Sequence, residues 1–293
     1  MSSNLWEQQL INGLTIGSVY ALIAVGLTMV YGVLRILHVA HAGVYVIGAY
    51  VGLVTYTYTG SFIVAMALSM LVCAGVGILI QNYVYYHLLS FPPVVPLIAS
   101  IGLFISIEEA CRIVAGPYIR SFPSTIMSGE YRWGSVSISA TQLLVLFVSV
   151  LLIVFLWIVV EKTKFGLSMK AVSQDMDMSS VVGIDVQRAT MLTFALSSAL
   201  AGAAGLLVGV YFNSVYPAMG DVPAYKALAI IVVGGLGNIW GTLLASIIIG
   251  LTETIIIGFF SVPLPRDSIA FIAMIAVILF RPEGLSFLFR KGR

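Results

Sequence analysis

The chain has 293 residues, of which 60% are hydrophobic and 9% are charged. Soluble domains carry about 25% charged residues, so this composition excludes a soluble enzyme and a disordered protein. The chain has fourteen Lys and Arg residues against twelve Asp and Glu residues. This small excess of positive charge excludes a nucleic-acid-binding protein. The composition predicts an all-α polytopic membrane protein in which residues 1–293 form a single transmembrane domain.

Seven apolar stretches are long enough for a helix to cross a membrane, which takes about 20 residues. In chain order they are Leu10–Leu34, Ala42–Tyr58, Phe62–Tyr86, Val94–Gly116, Thr141–Val160, Ala189–Phe212 and Thr242–Phe260. Two further stretches, Ala227–Asn238 and Ser268–Phe280, would each be only about 20 Å long as helices. All nine are hydrophobic all round, which favours helices over barrel strands. We expect about nine transmembrane segments (roughly eight to ten), two of them short or discontinuous.

The distribution of basic residues predicts the orientation of these segments. With the N-terminus outside and nine crossings, nine Lys and Arg residues fall on the inner side and four on the outer side. The inner ones are Arg35, Lys162, Lys164, Lys170, Arg188, Arg281, Arg290, Lys291 and Arg293, and the outer ones are Arg120, Arg132, Lys226 and Arg266. We therefore expect an outer N-terminus and a cytoplasmic C-terminus.

The segment Arg35–Gly43, between the first two spans, contains His38 and His41. Their spacing would let the two rings face each other across a helical turn, but no third ligand lies nearby, so we expect no metal site. Histidines at such a break more often satisfy backbone carbonyls or line a polar cavity. Broken helices at membrane depth are tolerated where they face protein or water.

Ionisable residues inside the membrane spans are energetically unfavourable, so they usually have a function or a charged partner. Glu108 is followed by Arg112 at the i+4 position, which predicts a structural ion pair and makes a proton-relay acid less favoured. Glu253 has no charged neighbour in sequence and lies deeper in its span. We expect it to face a wet path or a partner subunit.

The polar segment 161–188 holds eight of the 26 charges of the chain. Leu167–Val182 is predicted to form a short helix, ended by Gly183 at the position after the helix. Connections of this length are uncommon and usually functional, and exposed Met residues suit a docking surface. Two interpretations remain open from the residues alone, a docking site and a solvated loop.

Several motifs, taken together and in order, resemble the permeases of branched-chain amino acid ABC importers. They begin with Asn-Gly-Leu-Thr-Ile-Gly at 12–17 and end with Arg-Pro-Glu-Gly-Leu at 281–285; the others lie at 38–42, 163–172, 183–188, 194–205 and 234–241. The resemblance covers nearly the whole chain and is to the shorter of the two paired permeases. It implies a bacterial inner (plasma) membrane protein that carries neutral, aliphatic amino acids. The low charge inside the spans suits zwitterions held by helix ends and hydroxyls and not by fixed charge.

The resemblance also implies partners. In this family the loop equivalent to 161–188 contains a coupling helix that inserts into a groove on an ATPase subunit. No phosphate-binding Gly-x-x-x-x-Gly-Lys-[Ser/Thr] motif occurs here, so ATP and Mg are expected on a separate chain, with no cofactor on this one. The implied complex has two permeases, two ATP-binding cassette ATPases and a periplasmic or extracellular solute-binding protein.

Two sets of candidate residues follow. The coupling set is Phe165, Gly166, Leu167, Met169, Ala171, Met176 and Gly183. The second set is expected to approach a translocation path between two permeases, because short helices and glycine-rich turns expose backbone groups at depth; it comprises Asn12, Thr15, Ser18, His41 and Asn238. The alternative for the glycines is close helix packing alone.

The chain departs from the family pattern at two places. The family usually reads Asn-Phe-Ala-His-Gly followed by an acid, where this chain has His38-Val-Ala-His-Ala and then Gly43. The usually arginine-rich stretch before the fourth span is 85–93, which has no full charge. These changes leave the solute open, including urea and aromatic acids. An ion-coupled secondary transporter and a channel are the rival classes.

Overall fold

A computed structural model describes residues 2–123, 129–133, 136–260, 265–281 and 283–289. Twelve α-helices dominate the described part of the chain: α1 Ser2–Leu34, α2 Ala40–Thr59, α3 Phe62–Ile80, α4 Tyr86–Leu88, α5 Val94–Ala115, α6 Ala140–Lys162, α7 Lys164–Gln174, α8 Met176–Val181, α9 Val186–Tyr211, α10 Asp221–Gly234, α11 Ile239–Phe260 and α12 Asp267–Phe280. A π-helical stretch, Gln81–Tyr85, joins α3 to α4, and 3₁₀ turns lie at Pro217–Gly220 and Gly284–Phe289.

Within the described residues, seven helical segments are long and apolar enough to cross a membrane, which confirms an all-α polytopic membrane protein. Six of the long predicted spans are among these seven. The predicted span Ala42–Tyr58 forms α2 but is not among these seven. The seventh segment is Pro217–Gly234, which includes most of a stretch predicted to be short. The total of nine crossings stays a prediction.

A small β-hairpin between α5 and α6 is not predicted by the sequence. Strands β1 (Glu130–Trp133) and β2 (Val136–Ser139) pair antiparallel, with Tyr131 opposite Ile138. The hairpin leads directly into α6, whose first turn is capped by Ser139, because the Ser139 hydroxyl accepts a hydrogen bond from the N–H of Gln142 at 3.1 Å.

Glycines set the closest helix contacts. A Cβ built on Gly17 of α1 would lie 3.0 Å from Cα of Ile247 in α11, and one on Gly202 of α9 would lie 2.6 Å from Sγ of Cys73 in α3. Gly205 of α9 packs directly on the carbonyl oxygen of Tyr45 in α2. Small residues therefore let α1 pack against α11, and α9 against α2 and α3, at backbone distance.

Helix α2 begins inside the bundle. The chain turns back after α1, and Ile36 and His38 in this turn are buried. His41, in the first turn of α2, lies beside Gly26 of α1 and Ser197 of α9. Ser197 is eleven residues from the start of α9, a distance of about 16 Å along a helix. The Ser100 hydroxyl of α5 accepts a hydrogen bond from the first N–H of α2, at Ala40, at 2.9 Å, so this buried helix start is not left unsatisfied.

Two of the helices in the bundle, α10 and α12, are short. Helices α10 and α12 have 14 residues each, about 21 Å of helix, which agrees with the lengths predicted for 227–238 and 268–280 although α10 begins and ends earlier. The turn before α10 enters the bundle, since a Cβ on Gly220 would lie 3.0 Å from the carbonyl oxygen of Ala42 in α2. The starts of α10 and α12 lie near each other, because the Tyr225 hydroxyl of α10 is 3.5 Å from Oδ2 of Asp267 in α12.

Candidate functional site

A cavity of about 470 Å³ lies where α10 and α12 begin. Its walls come from α1, α2, the end of α9, the turn that follows α9, the first turns of α10, and residues Arg266 and Asp267. The volume is within the range of roughly 300–1,000 Å³ typical of small-molecule sites. The positive ends of two helix dipoles flank the cavity.

A buried ion cluster forms one wall of this cavity. Nζ of Lys226 in α10 lies 2.6 Å from Oδ1 of Asp267 in α12 and 3.1 Å from Oε1 of Glu253 in α11. It also donates a hydrogen bond to the Tyr20 hydroxyl of α1 at 2.8 Å. That hydroxyl donates to Oε2 of Glu253 at 3.0 Å. The cluster thus joins four helices at one point.

The burial of this cluster corrects the prediction for Glu253. The side chains of Lys226 and Glu253 are only 3% and 2% exposed, so Glu253 faces neither a wet path nor a partner subunit but an internal cation. The sequence predicts Lys226 only as an outer basic residue. A lone acid inside an apolar stretch, as Glu253 is, signals that a partner exists but does not identify it.

A second cavity, of about 330 Å³, lies between the C-terminal part of α1 and the N-terminal end of α11, away from the first cavity. Its lining includes Gly32 of α1, Trp157 of α6, Met169 of α7 and Asn238 in the glycine-rich turn. The Asn238 side chain accepts a hydrogen bond from the N–H of Gly241 at 3.0 Å and so caps α11. This residue of the path set therefore lines a cavity next to the polar segment.

The structure does not bring the five predicted path residues together. Asn12 accepts a hydrogen bond from the Gln142 amide of α6 at 2.9 Å. Thr15 and Ser18 are buried and donate to carbonyl groups of their own helix. Helix α1 packs against α6, α9, α10 and α11, and these polar side chains find partners inside this one subunit. Asn238 lies at the other end of α1.

The two histidines are buried in a polar and aromatic cluster. Nδ1 of His38 and the Tyr85 hydroxyl share a hydrogen bond of 2.7 Å. Nδ1 of His41 lies 3.5 Å from the Ser197 hydroxyl, which itself donates to the carbonyl oxygen of Gly26 at 2.7 Å. No group of three metal-ligating side chains occurs among the described residues. A Cβ on Gly43 would lie 3.1 Å from Ile107 of α5.

The predicted pair of Glu108 and Arg112 lies on the surface of α5. Arg112 contacts Oε1 of Glu108 at 2.9 Å and Oε1 of Glu109 at 2.7 Å. The Arg112 side chain is 42% exposed, so the attraction is weaker than in the buried cluster. This arrangement is a local, helix-surface ion pair.

The polar segment folds as two helices where the sequence predicts one over Leu167–Val182. Asp175 separates α7 from α8, and its Oδ1 accepts a hydrogen bond from the N–H of Met178 at 2.9 Å. The side chain thereby caps a new helix. Gly183 ends α8 with φ of +87°, and the N–H of Ile184 bonds to the carbonyl of Ser179 at 3.0 Å, as expected for a glycine after a helix.

One face of α7 attaches the segment to the bundle. Gly166, Met169 and Val172 are buried, and Gly166 lies directly against the carbonyl oxygen of Val160 in α6. Lys170 forms an ion pair of 2.7 Å with Glu161 at the end of α6. These contacts fix the position of α7 relative to α6.

Four large apolar side chains of α7, of α8 and of the residue after α8 are exposed. Leu167, Met178, Val181 and Val182 are between 63% and 78% exposed; we call these four residues the coupling patch. Of the predicted coupling set, Leu167 and Gly183 are exposed, Gly166 and Met169 are buried, and Phe165, Ala171 and Met176 are half-buried. Sequence reasoning missed the outward direction of Val181 and Val182, because it depends on the break at Asp175.

The chain is similar to known transport proteins over nearly its whole length. The pattern of a family described as "Branched-chain amino acid transport system / permease component" matches residues 9–279. The high-affinity branched-chain amino acid transport system permease protein BraD of Pseudomonas aeruginosa is 32% identical, over 95% of this chain and 94% of the relative. LivH of Escherichia coli K12, with the same description, is 30% identical over the same shares. A probable LivH of Methanocaldococcus jannaschii is 28% identical over 97% and 93%.

Proposed function

The chain belongs to the family of branched-chain amino acid transport permease components, and from this premise we propose that it is the membrane subunit of an ATP-driven importer of branched-chain amino acids. The coupling patch is the observation that carries the mechanism. Four large apolar side chains exposed on one short segment are typical of a surface that docks another protein.

The proposed partner at the coupling patch is an ATP-binding cassette ATPase. ATP and Mg bind the ATPase chain. When the ATPase subunits close, they displace α7 and α8. The buried residues Gly166 and Met169 then transmit the push to α6 and α1, because packed elements move as units. A second permease and an external solute-binding protein complete the complex.

The proposed topology has nine crossings in a bacterial inner membrane, with the N-terminus outside and the C-terminus and coupling patch in the cytoplasm. The excess of basic residues on one side supports it. In this orientation the cavity between α10 and α12 opens towards the outside, where a binding protein delivers the solute. The cavity beside Asn238 lies on the cytoplasmic side.

Substitution of Val181→Glu tests the docking surface. Val181 is 78% exposed, so the chain should fold and insert normally while the new charge prevents apolar docking. We expect the purified complex to lose its ATPase subunits or its solute-stimulated ATP hydrolysis. Gln174→Glu, an exposed position in the same segment, is the matched control and should hydrolyse ATP as the wild type does. Normal coupling in Val181→Glu would show that the segment is only a solvated loop.

A further inference from the structure

We propose that the cavity between the starts of α10 and α12 binds the charged head of a free α-amino acid, with Arg266 taking the carboxylate and Asp267 the ammonium group. This proposal rests on the proposed function and places the solute site inside one permease chain, on two charged side chains where the sequence analysis expects helix ends and hydroxyls. Two neighbouring residues of opposite charge, both lining one cavity, carry it.

Arg266 is the cationic side of the proposed site. Its side chain is exposed and lines the cavity, and within the described residues it has no ion pair. It occupies the N-cap position of α12, where the helix dipole adds to the attraction for an anion. A guanidinium binds a carboxylate through two parallel hydrogen bonds.

Asp267 is the anionic side. Its Oδ1 is held by Lys226 at 2.6 Å, which fixes the carboxylate in place. Its Oδ2 has only a long contact of 3.5 Å with the Tyr225 hydroxyl, and the side chain is 28% exposed. One oxygen is therefore positioned and the other is available to accept a hydrogen bond from an ammonium group.

Lys226 positions Asp267 and does not itself bind the solute. An ammonium group has three donors, and Tyr20, Glu253 and Asp267 occupy them. The charges of Lys226 and Glu253 cancel, and so do those of Arg266 and Asp267. A site with no net charge but with separated charges favours a zwitterion over a solute that carries a net charge.

Most of the remaining wall is apolar and fits an aliphatic side chain, although Ser214, Tyr45 and Tyr216 also line it. Ile23, Val208, Phe212, Met219, Val222 and Ile230 line the cavity. Burying a charged solute side chain against these groups would leave it without a partner, which costs several kcal/mol. The cavity therefore selects amino acids with apolar side chains.

The first test fills the cavity. Val222→Trp places a large ring at a half-exposed position on the cavity wall, and Ile113→Trp, at an exposed position of α5 outside it, is the matched control. The full permease–ATPase complex in nanodiscs, without binding protein, is titrated with radiolabelled leucine. We expect Val222→Trp to weaken binding by about tenfold or more and Ile113→Trp to leave it unchanged. Equal binding by both variants would overturn the proposal.

The second test assigns the two charges through solute analogues that compete with leucine. Leucinamide lacks the carboxylate and 4-methylpentanoate lacks the ammonium group. Loss of a hydrogen bond to a charged group costs about 1.5–3 kcal/mol, roughly tenfold or more in affinity. We expect Arg266→Met to lose affinity for leucine but not for leucinamide, and Asp267→Asn to lose it for leucine but not for 4-methylpentanoate.

Uptake by the wild-type complex distinguishes a failure of the cavity site from a failure of the proposed importer function. If it imports leucine but both analogue preferences are unchanged in the variants, the cavity site is wrong and the importer assignment stands. If the wild-type complex binds and imports no branched-chain amino acid, the proposed function fails and the site proposal fails with it.

Discussion

Lys226 illustrates how a single buried charge ties the membrane helices together. It contacts Asp267, Glu253 and Tyr20, which belong to three different helices. Removing one partner of a buried ion pair leaves an uncompensated charge, at a cost of about 3–5 kcal/mol, whereas replacing both partners with apolar groups is often neutral. The effect of removing one charge of the cluster therefore depends on which of the other charges remain.

We predict that Lys226→Met lowers the thermal unfolding temperature of the detergent-solubilised chain, because Glu253 then keeps only the Tyr20 hydroxyl. The double variant Lys226→Met/Glu253→Leu should recover most of the loss. Arg112→Met is the surface control, and its exposed ion pairs should contribute at most about 1 kcal/mol. A double variant less stable than Lys226→Met would show that the two charges do not compensate each other.

The long-range pairing of Lys226 with Glu253 could not be predicted from the sequence. Positions 226 and 253 lie on different helices, and helical spacing predicts only neighbours three or four residues apart. The Glu108–Arg112 contact has that spacing, and the sequence predicts it. For the same reason, the polar residues of α1 suggested a path, while the structure shows that Gln142, distant in sequence, satisfies Asn12.

At the scale of elements, hydrophobic length predicts most helix boundaries well. The prediction Val94–Gly116 corresponds to α5 at Val94–Ala115, and Thr141–Val160 to α6 at Ala140–Lys162. Helix boundaries in the polar segments are less predictable, because a single side-chain hydrogen bond can determine where a helix begins. Asp175 splits the predicted helix Leu167–Val182 in two, and the hairpin β1–β2 has no long apolar pattern.

Loss of the Asp175 cap should loosen α8 relative to α7. Removing an N-cap side chain costs about 1 kcal/mol, which is enough to free a helix of six residues. We predict that Asp175→Ala reduces the solute-stimulated ATP hydrolysis of the complex while the ATPase subunits stay bound. Asp177→Ala, which removes an exposed carboxylate two residues later, serves as control. If both variants lower hydrolysis equally, charge and not capping is the cause.

At the scale of the whole molecule, the orientation in the membrane can be tested with single cysteines. Cys73 is buried, so Cys111→Ser gives a suitable background. We predict that an impermeant maleimide labels Tyr118→Cys, an exposed position after α5, in intact cells. Ser180→Cys, an exposed position in α8, should react only after the membrane is opened. The reverse labelling would invert the topology.

ATP-driven import of a branched-chain amino acid can be measured as uptake by reconstituted proteoliposomes. The vesicles contain this chain with its partner permease and ATPases, ATP is enclosed on the cytoplasmic side, and the binding protein and radiolabelled leucine are outside. We predict that leucine accumulates only with hydrolysable ATP and that a protonophore leaves the rate unchanged. Accumulation without ATP, driven by an ion gradient and abolished by the protonophore, would contradict it.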